Sequence, residues 1–209
     1  MIRPRSTSLR AASLATVASL TLACDDPMTE PEPEPLVVPD SPRCEPVTDD
    51  SPLSQPETEE ALLVAITDMR ARGGRCGALS FLPAAPLHFD PSLRCAARLH
   101  TADMVTRMYL GAIDPDGRGT GARLAEVEHT ASSFAQAVGF ARATADNPEF
   151  EPAAAADIAA TWADNPSTCW QLRARELTEI GVGAVPGDYA FKDMEPTTGV
   201  YFSAIFAAP

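Results

Sequence analysis

The chain has 209 residues, a formal net charge of −13 and 45% hydrophobic residues, with 20 prolines and 5 cysteines. That acidity excludes nucleic acid as a partner, because no Lys/Arg stripe exists that could release phosphate counterions. It favours solubility and repulsion from anionic lipid headgroups.

At the N-terminus, Arg3, Arg5 and Arg10 precede an apolar stretch, Ala11 to Ala23, which is too short to span a bilayer as a stable helix. This is the build of an export signal covering residues 1–23. The segment Leu20-Thr21-Leu22-Ala23-Cys24 resembles a bacterial lipobox, in which small residues let a peptidase cut before a cysteine that becomes acylated. Thr21 departs from it, standing where a branched aliphatic is usual. Several acyl chains on Cys24 would anchor the protein to a membrane, each buried methylene contributing about 0.8 kcal/mol. The expectation is an extracytoplasmic, membrane-anchored lipoprotein of a bacterial envelope. The alternative is ordinary cleavage nearby and secretion, with Cys24 unmodified.

Cleavage there removes three arginines and no acids, so the charge becomes −16. Cys44, Cys76, Cys95 and Cys169 remain, and an even count in an oxidising compartment predicts two disulfides. No two of them have the close spacing of a zinc site. On spacing alone the connectivity stays open.

Residues 24–56 alternate proline with acids, as in Pro31-Glu32-Pro33-Glu34-Pro35, and read as an extended, disordered tether. Residues 57–209 form one globular domain, long enough to bury about 70% of its unfolded surface. Glu59 to Arg72 reads as a helix, with Leu62, Leu63, Ile66 and Met69 on one stripe and Gly73-Gly74 ending it. Asp90-Pro91 supplies a cap and a first-turn proline for a second helix reaching about Met108. Asp114-Pro115-Asp116-Gly117 is turn chemistry. A short helix follows over Ala122 to Glu126, and Ser132 to Phe140 reads as helix or loop. Pro152 to Asp164 is a strong alanine-rich helix, ending before Asn165-Pro166. Glu179 to Ala184, Tyr189 to Phe191 and Val200 to Phe206 read as strands. Helices first and antiparallel strands last predict a layered α+β domain.

Several segments together resemble one family. The run from Trp162 through Asn165-Pro166-Ser167-Thr168-Cys169 to Leu172 is similar to the W-x-x-S-P-G-H-R-x-N-I motif of bacterial CAP (SCP-like) domains. It leads into Thr178-Glu179-Ile180-Gly181-Val182-Gly183, which matches that family's T-E-I-G-V-G strand. Pro86 to Leu93 resembles P-L-x-W-D-x-x-L, and Cys95 to Met104 resembles the A-A-x-x-H-x-x-D-M helix. Tyr201 to Phe206 sits where the family's last strand carries Y-W-T-Q-V-F. The resemblance implies a three-layer α-β-α sandwich with a small antiparallel sheet and extracellular disulfides. It also implies that Cys169 pairs with Cys76, which leaves Cys44 to pair with Cys95 and pin the tether's end.

The resemblance further implies a cleft, and there the sequence departs from the family. Members with a metal-competent cleft carry a histidine in F-S-H, a glutamate in G-E-N and a histidine in G-H-R. The matching positions here are Ala112, Gln136 and Thr168. A divalent ion prefers imidazole and carboxylate ligands, and these residues supply neither. Acid–base catalysis near neutral pH needs a titratable group. The expectation is a non-enzymatic domain with a degenerate cleft, holding no metal or cofactor.

Other candidates carry weaker signals. His100 matches the family's helix histidine and reads as a packed or capping residue, while His88 reads as filling an aromatic's place. His129, beside Glu126 and Glu128, lies in a solvated acidic loop or rebuilds, with His100 and nearby carboxylates, the metal site of a hydrolase. Asp114 and Asp116 hint at a calcium loop, which fails at Arg118 and Ala125. No Ser, Cys or Thr stands in a nucleophile's surroundings. Phe134, Phe140, Trp162 and Trp170 are core residues or the wall of an apolar groove, with His100, Trp162 and Trp170 the possible cleft lining. The functional expectation is recognition or structure with an extracytoplasmic protein or lipid partner. The alternatives are a lipid-, sterol- or peptide-binding cleft and a metal-dependent hydrolase.

Overall fold

The computed structural model describes residues 37–52, 54–142, 152–190 and 195–209. The export signal, Cys24 and the first part of the tether lie outside the described residues, as does Phe191. Among the described residues, three layers are built from five α-helices and a four-stranded sheet. The helices are α1 (Pro56–Arg72), α2 (Pro91–Arg107), α3 (Thr120–Glu126), α4 (Pro152–Asp164) and α5 (Pro166–Arg173). A small hairpin, β1 (Gly74–Cys76) with β2 (Leu79–Phe81), stands apart from the main sheet. The sheet is made of β3 (His88–Phe89), β4 (Ser133–Arg142), β5 (Glu179–Tyr189) and β6 (Thr197–Ala208), in the order β3-β5-β6-β4. Only the short β3–β5 pairing is parallel.

The period-2 alternation of the strands separates the two faces. Ile180, Val182 and Ala184 of β5, with Val200, Phe202, Ala204 and Phe206 of β6, pack against α1, α4 and α5 in the larger core. Ile205 and Ala207 face the other way, onto Leu93, Ala96 and Ala97 of α2 and Leu124 of α3. On that second face β5 carries Gly181 and Gly183. A Cβ on Gly181 would sit 2.0 Å from the Leu93 carbonyl carbon, so the absent side chain is what lets α2 lie directly on the strand. Among the described residues no helix is long and apolar enough to cross a membrane.

Local signals explain most boundaries. Asp90 caps α2, its carboxylate accepting from the Leu93 N–H at 2.7 Å, and Pro91 needs no partner in the first turn. α1 ends at Gly73, whose φ of +61° suits glycine. The disulfides are Cys44–Cys95 and Cys76–Cys169, the pairing the resemblance implied.

Two expectations are corrected. Ser132–Phe140 is neither helix nor loop but lies in β4, paired along its length with β6. Its inward residues Ala135, Ala137 and Gly139 are small, a Cβ on the last would lie 3.0 Å from Ile158 Cδ1 and Trp162 Nε1, and Gln136 on the other face is also buried, so the alternation is muted. Asn165-Pro166 ends α4 at Asp164 as expected, and it also opens a helix that was not expected, Asn165 accepting from the Ser167 N–H at 3.0 Å as the cap of α5. His88 is exposed on β3, and Leu87 is the buried neighbour.

The folded unit also begins before residue 57. Cys44 and Val47 are buried with Cys95, and a 3-10 turn spans Glu45–Val47. Buried ion pairs hold this segment. Arg94 and Arg98 of α2 both reach Glu59 of α1, at 2.6 and 2.8 Å, and both reach Asp49, at 3.1 and 2.7 Å. Arg98 also donates to the Val47 carbonyl at 2.7 Å.

Candidate functional site

The depression that contains the expected cleft positions forms between α2, the α2–α3 loop, α3 and β4. His100 sits one turn beyond Ala96 on the α2 face turned to the sheet, and the sheet's outward alternation brings Gln136 and Ser203 beneath it. The left-handed Met108 ends α2, and the turn at Asp114 folds the loop back so that Arg123 of α3 points inward.

The Gln136 amide is fully used. Its Nε2 lies 2.6 Å from His100 Nδ1 and donates to Ser203 Oγ at 2.8 Å. Its Oε1 accepts from Thr120 Oγ1 at 2.7 Å and from Arg123 at 3.3 Å. An amide has two N–H donors and two acceptor positions, and all four are taken. Because the amide N–H can only donate, His100 Nδ1 accepts and the ring proton lies on Nε2. Arg123 also donates to the Ala112 carbonyl at 2.6 Å, so one guanidinium ties two of the three expected cleft positions together.

Burial dominates the electrostatics. His100 is pushed down to about 3, first by desolvation and then by the Arg123 charge, with the Gly111 carbonyl and Asp114 opposing. The imidazole is therefore neutral at physiological pH. Tyr109 is raised by burial and by its hydrogen bond to Asp103 at 2.7 Å. Burial would raise Asp114, but the N–H groups of Arg118 and Asp116 hold its carboxyl below the usual range. That carboxylate fastens a turn, in keeping with the failed calcium reading.

Outside this buried layer lies an open depression of about 180 Å³ lined by Arg43, Asp103, Asp114, Arg118, Arg123 and Glu126, with His100 at its floor. Arg118 pairs with Asp114 at 2.8 Å and with Glu126 at 3.1 Å, and Arg43 pairs with Glu126. Sequence reasoning missed this charged rim. The Cys44–Cys95 pairing contained the signal, since it must set Arg43 beside α2.

The structure separates the remaining candidates. Thr168 lies in the first turn of α5 and donates to the Trp162 carbonyl at 2.7 Å, apart from the bonds that join Ala112 and Gln136. Trp162 is 2% exposed in the larger core and donates to the Val138 carbonyl, and Trp170 is 39% exposed on α5, so neither lines the depression. His129 lies 3.4 Å from both Asp90 and Glu179, and His100 bonds to Gln136, so the two histidines do not converge. Among the described residues no three of His, Cys, Asp and Glu are placed to share an ion.

Three layers fastened by two disulfides, with a depression between α2, α3 and β4, define a domain of the SCP-like sandwich class. The model of the cysteine-rich secretory protein family, CAP, matches residues 67–206, and the chain belongs to that family. Among solved structures, an extracellular SCP-domain protein from Bacillus anthracis is similar at 14% identity and a TM-score of 0.52, over 73% of this chain. This chain spans only 40% of that protein's length. An outer surface protein from Borrelia burgdorferi is similar at 14% identity and a TM-score of 0.49, over 73% of this chain and 92% of its own. No curated protein matches.

Proposed function

We propose that this CAP domain is a non-enzymatic recognition or structural module, exported and held to a bacterial envelope membrane through lipidated Cys24. The observation that carries the reading is the saturated Gln136 amide. Where relatives of this fold place a carboxylate, this chain has a neutral group whose four hydrogen-bonding positions are occupied by His100, Ser203, Thr120 and Arg123. A neutral, buried imidazole and a committed amide leave no base at the floor of the depression, and the carboxylates of its rim are engaged, Asp114 and Glu126 by Arg118 and Asp103 by the Tyr109 hydroxyl. The two disulfides fit an oxidising compartment. Of the two binding alternatives, the charged rim of Arg43, Asp103, Arg118 and Glu126 favours a polar peptide over a sterol or acyl chain.

Calorimetric titration of metal-free protein with zinc is the test. The expected result is no stoichiometric heat above the background of surface carboxylates. Tight one-to-one binding that disappears in His100→Ala would overturn the reading and revive a metal-dependent hydrolase.

A further inference from the structure

One cluster of titratable side chains lies outside the cleft, where the α3–β4 loop meets β3 and β5. The His129 side chain is only 10% exposed and stands between two carboxylates, with Nδ1 3.4 Å from Asp90 Oδ1 and Nε2 3.4 Å from Glu179 Oε2. These are ion-pair distances, longer than a hydrogen bond. Asp90 Oδ1 already accepts from the Leu93 N–H at 2.7 Å. Glu179 opens β5, and among the described residues neither its Oε2 nor His129 Nε2 has a hydrogen-bond partner, although both atoms are buried. Among the described residues neither carboxylate is paired with an arginine.

Those positions decide where the protons lie. A neutral imidazole has one N–H and one lone pair. With the proton on Nδ1, the Nε2 lone pair faces Glu179 Oε2; with the proton on Nε2, the Nδ1 lone pair faces Asp90 Oδ1. Either neutral form sets a lone pair against a carboxylate oxygen. Only the doubly protonated ring presents an N–H to each acid. Other charged groups on the surrounding elements are turned away or exposed. Arg94 of α2 reaches Glu59 and Asp49, and Arg123 and Glu126 of α3 line the cleft. Glu128 beside the ring is exposed, and so is His88, which pairs with Glu179 in the β3–β5 register. Glu128 has a φ of +56°, a left-handed conformation that side chains rarely adopt, so the loop is held against strain one residue before the ring. The His129 N–H donates to the Leu124 carbonyl at 3.0 Å, which ties the ring's position to the end of α3.

We propose that Asp90, His129 and Glu179 form a pH-sensitive latch, which fastens the α3–β4 loop to β3 and β5 while the imidazole carries both protons. Loss of one proton sets a lone pair against a carboxylate, and the loop loosens together with the end of α3. The sign is opposite to that of a histidine buried neutral: this contact is complete in mild acid and is lost as the pH rises.

The test follows amide hydrogen exchange in the full chain by NMR at about pH 5 and about pH 8.5, on either side of the range in which imidazoles usually titrate. The reporters are the hydrogen-bonded amides of Val127, Glu128, His129 and Ser132. His100, held at about 3, stays neutral at both values and takes no part. After correction for intrinsic rates, protection of the four amides should fall about tenfold at the higher pH, while β5 and β6 keep theirs. Glu179→Gln separates a latch from a merely structural contact. Its amide can donate to a neutral Nε2 while Nδ1–H still reaches Asp90, so the loop should stay protected at both values. His129→Ala should lack protection at both, and His88→Asn should keep the wild-type response. Unchanged protection in the wild-type protein overturns the proposal. So does a Glu179→Gln loop that loosens as the wild type does, or a response abolished by His88→Asn. If His129→Ala does not fold, the Glu179→Gln comparison decides alone.

Discussion

His100 is where one side chain governs the behaviour of the site. In an unfolded chain an imidazole titrates near 6.5, whereas here burial and Arg123 hold it at about 3. Its folded pKa is depressed, so the unfolded state takes up the proton first as the solution acidifies. Stability from this group is complete above pH 6.5 and is lost progressively down to about pH 3. The slope is about 1.4 kcal/mol per pH unit across that window. His100→Gln keeps an acceptor for the Gln136 amide but cannot titrate. We expect it to be somewhat less stable at pH 7 and less sensitive to acid between pH 6 and 4. Urea denaturation of both proteins across that range measures the difference, and parallel pH profiles would remove His100 from the account. The same residue shows how much was readable: its family position suggested a packed role, but the Gln136 bond that fixes its tautomer depends on the β4–β6 register.

Among the elements, the helices were more legible than the contacts that fasten them. Asp90-Pro91 and Gly73 mark helix ends by chemistry acting within one turn, and both appeared where expected. Asn165-Pro166 carries the same cap-and-proline signal, but following so closely on α4 it read only as the terminator it is and not also as the start of α5. β4 was hidden because small residues and a buried Gln136 blur the alternation that marks a half-exposed strand. Least visible were the buried charges: Glu59, Arg94 and Arg98 look in sequence like solvated helix faces, yet all three are fully buried. They join α1, α2 and the segment after Cys44, and Glu59 Oε1 also accepts from the Ala184 N–H of β5 at 3.2 Å. Glu59→Gln leaves the half-exposed Asp49 as the one carboxylate facing two buried guanidinium groups, and breaking a buried pair in this way typically costs about 3–5 kcal/mol. Replacing Glu59, Arg94 and Arg98 together by Leu, Met and Met should recover most of that loss. Chemical denaturation compares the two variants, and an equally unstable triple variant would show that the pairs supply more than mutual neutralisation.

At the scale of the whole molecule, the sandwich depends on how closely α2 approaches the sheet. The spacing is set by β5, whose Thr178-Glu179-Ile180-Gly181-Val182-Gly183 run places branched residues toward the larger core and glycines toward α2. The obstacle to a Cβ at Gly181 is backbone, the Leu93 carbonyl carbon at 2.0 Å and the Arg94 nitrogen at 2.1 Å, so no side-chain rotation can relieve it. At Gly183 the nearest atoms are also backbone, of Ala97 and Arg98, but at 2.7 Å. Gly181→Ala must therefore push α2 off the sheet, and Gly183→Ala must shift it less. Overpacking usually costs about 1–3 kcal/mol, and a backbone collision belongs at or above the top of that range. Because α2 carries Arg94, Arg98 and His100 on one rigid rod, its displacement acts on the ion pairs and the cleft together. Gly181→Ala should lower the denaturation midpoint more than Gly183→Ala does. It should also loosen the Gln136–His100 bond, so that water enters and the imidazole titrates closer to its ordinary value. Denaturant titration with NMR of the His100 ring reads both effects. A destabilised Gly181→Ala whose His100 still titrates near 3 would mean that the cleft moves with α2 as one body, independent of its seat on β5.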